Sequence, residues 1–197
     1  MPRRKVQFVS GAYYHIYNRG ANRTNLFCED ENYRYFLRLM KREQSIAQIT
    51  VIAYCLMPNH YHWVVRQDGE NPASMYPQRV CKAYSNSFNN LYGHHGSLFE
   101  GRYKALVITD DEYLHQVCRY IHANPVRHGF TSEPALWTYS NYHEWVGMRG
   151  GTLVDRQLVQ EHFPAADAYQ AYVMSYVRGE VILPGQLKEY LESIDGA

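Results

Sequence analysis

Two histidines one residue apart, His60 and His62, open the apolar run Tyr61 to Val65, just after the break Pro58-Asn59. Side chains on a strand alternate between faces, so both imidazoles would point one way and offer two nitrogens to a single cation. Packed sheets and strand edges also carry His-x-His pairs without metal, so the pair alone leaves both readings open. Further along, Arg119-Tyr120-Ile121-His122-Ala123-Asn124-Pro125-Val126-Arg127 puts Tyr120 and Asn124 at i and i+4, on one face of a helix end. An asparagine carbonyl can be the third, oxygen ligand of a cation held by two imidazoles. Nitrogen and oxygen donors at an open site suit magnesium or manganese bound with a substrate phosphate, rather than a closed structural zinc. Tyrosine is also a competent nucleophile. Taken singly, Asn124 reads equally as a helix cap before Pro125, and Tyr120 as a core aromatic.

These residues need elements to hold them. Tyr13 to Asn18 alternates as a strand and runs into a loop with Arg19 and Arg23. Asp30 is placed to cap a helix reaching about Gln44, with Phe36, Leu37 and Met40 on its apolar stripe. Ile49 to Met57 and Tyr61 to Val65 read as two strands of an antiparallel hairpin, since Pro58 cannot donate to a ladder. A helix from about Ala73 to Tyr92 follows, then a strand from Tyr103 to Ile108. Thr109-Asp110-Asp111-Glu112 has the capping-box pattern, Thr109 as the cap, opening a helix that Pro125 must end or kink. The order strand, helix, strand, strand, helix, strand, helix predicts an α+β fold: a ferredoxin-like four-stranded antiparallel sheet with packed helices. Residues 1–130 form the core domain in this reading. Residues 131–197 form an aromatic connector and a mostly helical extension, with helices near Asp155 to Gln160, Ala166 to Val177 and Leu187 to Ser193.

Composition narrows the function classes. Twenty Lys and Arg balance nineteen Asp and Glu, so a nucleic-acid surface has to come from local clustering rather than overall charge. Cys28, Cys55, Cys81 and Cys118 show no C-x-x-C spacing, which predicts reduced thiols in a cytoplasmic protein. There is no apolar leader pattern after Met1 and no long uncharged apolar run, so neither secretion nor a membrane span is expected. Nineteen tyrosines against seven phenylalanines is the unusual feature, and tyrosine can pack, stack on bases or attack a phosphate.

Three motifs together resemble one family: His60-Tyr61-His62 after Met57-Pro58-Asn59; Gly101-Arg102-Tyr103-Lys104 leading into a strand; and Tyr120 to Arg127. In this order they resemble the single-tyrosine HUH transposases, the small transposases of hairpin-ended insertion sequences and the REP-associated tyrosine transposases. Tyr14-His15-Ile16-Tyr17-Asn18-Arg19-Gly20 and Tyr139-Ser140-Asn141-Tyr142 also look like that group, and the similarity covers about Tyr13 to Phe130. The resemblance implies that His60 and His62 hold a divalent cation, magnesium or manganese, completed by Asn124, where some relatives carry Gln. It implies that Tyr120 is the catalytic nucleophile, cleaving and rejoining single-stranded DNA through a 5′-phosphotyrosine. Tyr113, beside the helix cap, is the competing nucleophile. The implied partner is single-stranded or hairpin DNA, held by Arg3, Arg4, Lys5, Arg19, Arg23, Arg102, Lys104, Arg119 and Arg127. Relatives act as a monomer or a homodimer, and the residues after Gly147 lean toward a site contained in one chain. The alternatives are a non-catalytic single-strand-binding module and a metal-dependent hydrolase that uses water in place of tyrosine.

Overall fold

A computed structural model describes residues 6–163 and 165–195. Four strands, β1 (Tyr13–Arg19), β2 (Ile49–Met57), β3 (His60–Gln67) and β4 (Lys104–Ile108), form one sheet in the order β2-β3-β1-β4, with every pair antiparallel. This is the ferredoxin-like arrangement expected from the element order. α1 (Asp30–Ala47) and α2 (Met75–Tyr92) cover one face, where Phe36 packs against Tyr61, Trp63 and Tyr84. α3 (Asp111–Arg127) lies on the other face, against β2, β3 and β4. The alternation of β3 therefore splits cleanly: Tyr61 and Trp63 go to the α1 and α2 core, His60 and His62 to the α3 side.

Two helix starts differ from the sequence reading. The cap of α1 is Glu29 rather than Asp30; Glu29 and Asn32 form a reciprocal capping box. The cap of α3 is Asp110 rather than Thr109: its carboxylate accepts the Tyr113 N–H at 2.8 Å, while the Thr109 hydroxyl donates to the same carboxylate at 2.9 Å. The carboxylate thus satisfies an orphan helix donor and the hydroxyl supports it. Pro125 stops α3 only two residues later, at Arg127. In the last turn it removes one donor where few bonds remain to be lost, and its own carbonyl accepts from Phe130 at 2.8 Å.

The chain after α3 seals the β2 edge. A bulge between Val51 and Ala53 leaves the Ile52 carbonyl open, and it accepts from Asn141 Nδ2 at 2.9 Å and Trp145 Nε1 at 3.0 Å. Asn141 Oδ1 takes the Tyr54 N–H at 2.6 Å, and Trp137 Nε1 donates to the Leu56 carbonyl at 3.0 Å. The aromatic connector is therefore edge protection for the sheet. α4 (Tyr142–Trp145), α5 (Arg156–His162), α6 (Ala166–Val177) and α7 (Gly185–Asp195) follow. α6 packs along α3, and His122 at their junction bonds Tyr169 Oη at 2.5 Å and Asn141 Oδ1 at 2.9 Å. All four cysteines are free thiols; Cys55 and Cys118 are buried, whereas Cys28 is exposed. Among the described residues no helix is long and apolar enough to cross a membrane.

Candidate active site

The turn before β3 is held from outside. The Pro58 carbonyl accepts from the N–H groups of Leu26 (2.7 Å) and Phe27 (3.0 Å), and the Asn59 carbonyl accepts from Gly20 N–H at 2.8 Å. Gly20 is required by the loop that follows it, because a Cβ there would stand 1.9 Å from the Thr24 carbonyl oxygen. The fixed turn sets His60. Its Nδ1 bonds Asn59 Oδ1 at 2.7 Å; the oxygen can only accept, so Nδ1 carries the proton and Nε2 keeps a lone pair.

His62 is wholly buried, its ring edge-on to that of His60 at 5.2 Å between centroids. Its Nδ1 lies 3.1 Å from Nε2 of His15, on the neighbouring β1, and its buried Nε2 has no hydrogen-bond partner. Burial, then the nearby His60, His15 and His128, hold its pKa well below the ordinary 6.5, so His62 is neutral and able to ligate. On the α3 side the Tyr120 ring meets His62 edge-on at 5.6 Å. One turn on, Asn124 is fully buried; its Nδ2 donates to the Tyr120 carbonyl at 3.1 Å, and its Oδ1 has no partner. Both residues meet Tyr120, His62 at its ring and Asn124 at its carbonyl, and both atoms keep a lone pair to offer a cation. Among the described residues no three His, Cys, Asp or Glu side chains gather into a metal-holding group. Asn124 Oδ1 offers a third donor of another kind, an amide oxygen.

The Tyr120 hydroxyl faces away from solvent. The residue is 1% exposed, and its Oη donates a long 3.5 Å hydrogen bond to the Leu191 carbonyl of α7. It lines a cavity of about 230 Å³ with Arg127, Tyr176, Leu183, Lys188 and Leu191. His60 lines a different cavity, of about 320 Å³, with Arg19, Arg23, Lys104, His128 and Phe130 among its walls.

The predicted basic residues separate by location. Arg19, Arg23 and Lys104 surround the His60 cavity; Arg19 is ion-paired with Glu100, its Nη2 at 2.8 Å from Oε1. Arg102 is exposed on an adjoining cavity of about 480 Å³. Arg127 is exposed and stacks over the rings of Tyr120 (5.6 Å) and Tyr176 (4.9 Å). Arg119 departs from expectation: it is 3% exposed and clamped between Tyr172 (4.3 Å) and Tyr176 (5.1 Å), so its charge ties α6 to α3 instead of facing a ligand. Arg3, Arg4 and Lys5 lie outside the described residues. Tyr113 sits toward the start of α3, in a cavity shared with Pro184, Leu187 and Tyr190, on different walls from Tyr120. The structure also brings in four residues to which the sequence alone assigns no role, namely His15, Tyr17, Asn59 and His128. Tyr17 pairs in register with His62, and burial is the main reason its phenol rises to about 12. His128 closes α3 four residues after Asn124, its ring 5.4 Å from that of His60. Helical spacing from Asn124 was the available signal for it, and strand parity with Tyr17 the signal for His15.

Known proteins are similar to this chain in fold and in sequence. A REP-associated tyrosine transposase, solved bound to a REP hairpin, superposes with a TM-score of 0.65 at 16% identity, covering 79% of this chain and 94% of that one. That likeness shows the fold. A Haemophilus influenzae protein named as a REP-associated tyrosine transposase is 26% identical over 104 residues, 47% of this chain. The match spans 58% of that relative's length. The model of the family described as "Transposase IS200 like" matches residues 8–124, the segment holding the sheet, both histidines, Tyr120 and Asn124. The chain belongs to the IS200-like transposase family.

Proposed function

We propose that this protein is a strand transferase that cuts and rejoins single-stranded DNA at hairpin, REP-like ends in the cytoplasm. In this reading Tyr120 is the nucleophile and His60, His62 and Asn124 hold a divalent metal, magnesium or manganese. One observation carries it: Tyr120 packs on His62, while His62 Nε2 and Asn124 Oδ1 are buried without partners beside it. The residues fit the metal. Asn59 fixes His60 with Nε2 as the lone-pair nitrogen, and the Asn124 amide spends its N–H on the Tyr120 carbonyl, which leaves the oxygen for a cation. A divalent cation bound there supplies Lewis acidity toward the scissile phosphate.

The remaining work falls to the chain. A phenol, with an ordinary pKa of about 10, attacks poorly until its proton leaves. Arg127, stacked on the Tyr120 ring, favours negative charge at that position. Attack of Tyr120 Oη on phosphorus forms the phosphotyrosine bond and breaks the bond to the 3′-oxygen. That oxygen takes up a proton from solvent as the phenol gives one up. A second 3′-hydroxyl reverses the exchange at a new junction, ester for ester, without a nucleotide cofactor. Arg19, Arg23 and Lys104 supply phosphate contacts along the His60 cavity, and half-exposed Phe130 offers a face for a base, a stack worth about 1–3 kcal/mol. Because Tyr120 and His62 meet within one chain, the site is self-contained and a monomer suffices.

The buried Tyr120 hydroxyl favours a second reading, a non-catalytic hairpin-binding module. Incubation with hairpin DNA carrying a single-stranded flank, with Mn²⁺ or Mg²⁺, separates the two. A denaturation-resistant protein–DNA adduct in the wild type that vanishes in Tyr120→Phe supports the enzyme. No adduct across varied hairpins supports the module, and an adduct in Tyr120→Phe moves the nucleophile elsewhere.

A further inference from the structure

We infer that His15 is a positioning residue: it holds His62 as the tautomer with the proton on Nδ1, keeping Nε2 bare for a cation. The inference rests on the metal reading above and extends it to β1. His15 is fully buried, and its Nε2 stands 3.1 Å from His62 Nδ1. Backbone pairing does not force this contact. In register His62 opposes Tyr17 and His15 opposes Val64, so the two imidazoles are diagonal neighbours that reach toward each other.

Packing fixes the arrangement. The rings of His15 and His62 are stacked at 5.3 Å and 21°. Tyr17 stacks near both, 5.6 Å from His15 and 5.9 Å from His62, and Tyr190 of α7 meets His15 edge-on at 5.9 Å. A neutral imidazole has one N–H and one lone pair, so a bond between two of them has only two proton arrangements. If His15 donates, His62 must carry its proton on Nε2, which closes the ligand position. If His62 donates from Nδ1 to His15 Nε2, its own Nε2 is the lone-pair nitrogen. Only the second arrangement leaves His62 able to ligate, and His15 Nε2 is then the acceptor that holds the ring in that form. His60 obtains the same result from Asn59, which gives each histidine of the pair its own partner on Nδ1.

Nitrogen-15 imidazole correlation spectra of the metal-free, full-length protein report the tautomer, and electron paramagnetic resonance of free Mn²⁺ reports affinity without DNA or turnover. The expected result is His62 protonated on Nδ1 in the wild type. In His15→Phe, which keeps a ring but removes the acceptor, Mn²⁺ should bind about 10–100-fold more weakly. In His15→Gln, whose Oε1 can stand where Nε2 was, most of the affinity should return. Metal-free hairpin binding should not move in either variant. A wild-type His62 protonated on Nε2, or wild-type Mn²⁺ affinity in a folded His15→Phe, overturns the inference alone. Absence of Mn²⁺ binding in the wild type overturns the metal reading and the inference with it. If His15→Phe does not fold, the wild-type spectrum and His15→Gln decide.

Discussion

At the scale of single residues, histidines occupy three separate settings, and substitution should tell them apart. His60 touches the proposed reaction site and lines an open cavity, so His60→Ala should abolish strand cleavage while hairpin affinity stays within about twofold. Gel-shift and cleavage assays on one preparation check this; joint loss of binding and cleavage would mean that His60 is structural. His15 contacts its neighbour on β3, His62, and its proposed job is to position that ring. His122 does no chemistry. It is wholly buried; burial is the main force pulling its pKa to about 4, a bond to Asn141 pulls it back upward, and His143 lowers it. The folded protein therefore keeps His122 neutral at pH values where the unfolded chain, titrating near 6.5, has taken up a proton. Its contribution is complete above about pH 6.5, fades as pH falls toward 4, and amounts to about 3 kcal/mol in all. Urea melts at pH 7.5 and pH 5 should show this loss in the wild type and a smaller one in His122→Gln.

At the scale of elements, α3 presents the tyrosine and α7 covers it. Asp110→Ala should lower stability by about 1 kcal/mol, read as a drop in melting temperature, because the Tyr113 N–H loses its acceptor. α7 lies over Tyr120, with Leu187 and Leu191 buried beneath it. Replacing both by Asp in the full chain removes well over 1.4 kcal/mol of apolar burial, so single-turnover adduct formation should rise roughly tenfold or more. An unchanged rate would mean that α7 does not gate the tyrosine. Much of this was legible in sequence. Period-two alternation located the strands to within a few residues, and the i, i+4 spacing put Tyr120 and Asn124 on one helix face. The rest depended on long-range packing. Nothing local says that Arg119 is sandwiched by Tyr172 and Tyr176 while Arg127, eight residues on, stays exposed. Nor does Thr109-Asp110 say which of two adjacent polar residues will cap, since either pattern opens a helix.

At the scale of the molecule, a nearly neutral chain can bind DNA only where it concentrates charge, and the His60 cavity does so with Arg19, Arg23 and Lys104 against Glu100. The double variant Arg23→Ala, Lys104→Ala should weaken single-strand binding and flatten the slope of log affinity against log salt by about 1.4, roughly 0.7 for each phosphate that is no longer neutralised. Multi-angle light scattering of the protein, with and without hairpin DNA, should report one chain, because the contact of Tyr120 with His62 is made within it. The sheet edge at β2 supports the same outcome, because the connector through Asn141 occupies it and shields it from pairing with a second copy.

The bond from Tyr120 to the Leu191 carbonyl has a thermodynamic corollary. Only the protonated phenol can make it; a phenolate has no hydrogen to give and would face the carbonyl's lone pairs. Ionisation of Tyr120, the proposed nucleophile, and departure of α7 are therefore linked functions, each favouring the other by the same free energy. A scissile phosphate and cation that favour the phenolate would also open the helix above it. In the absence of DNA the same linkage would keep Tyr120, the proposed nucleophile, under α7.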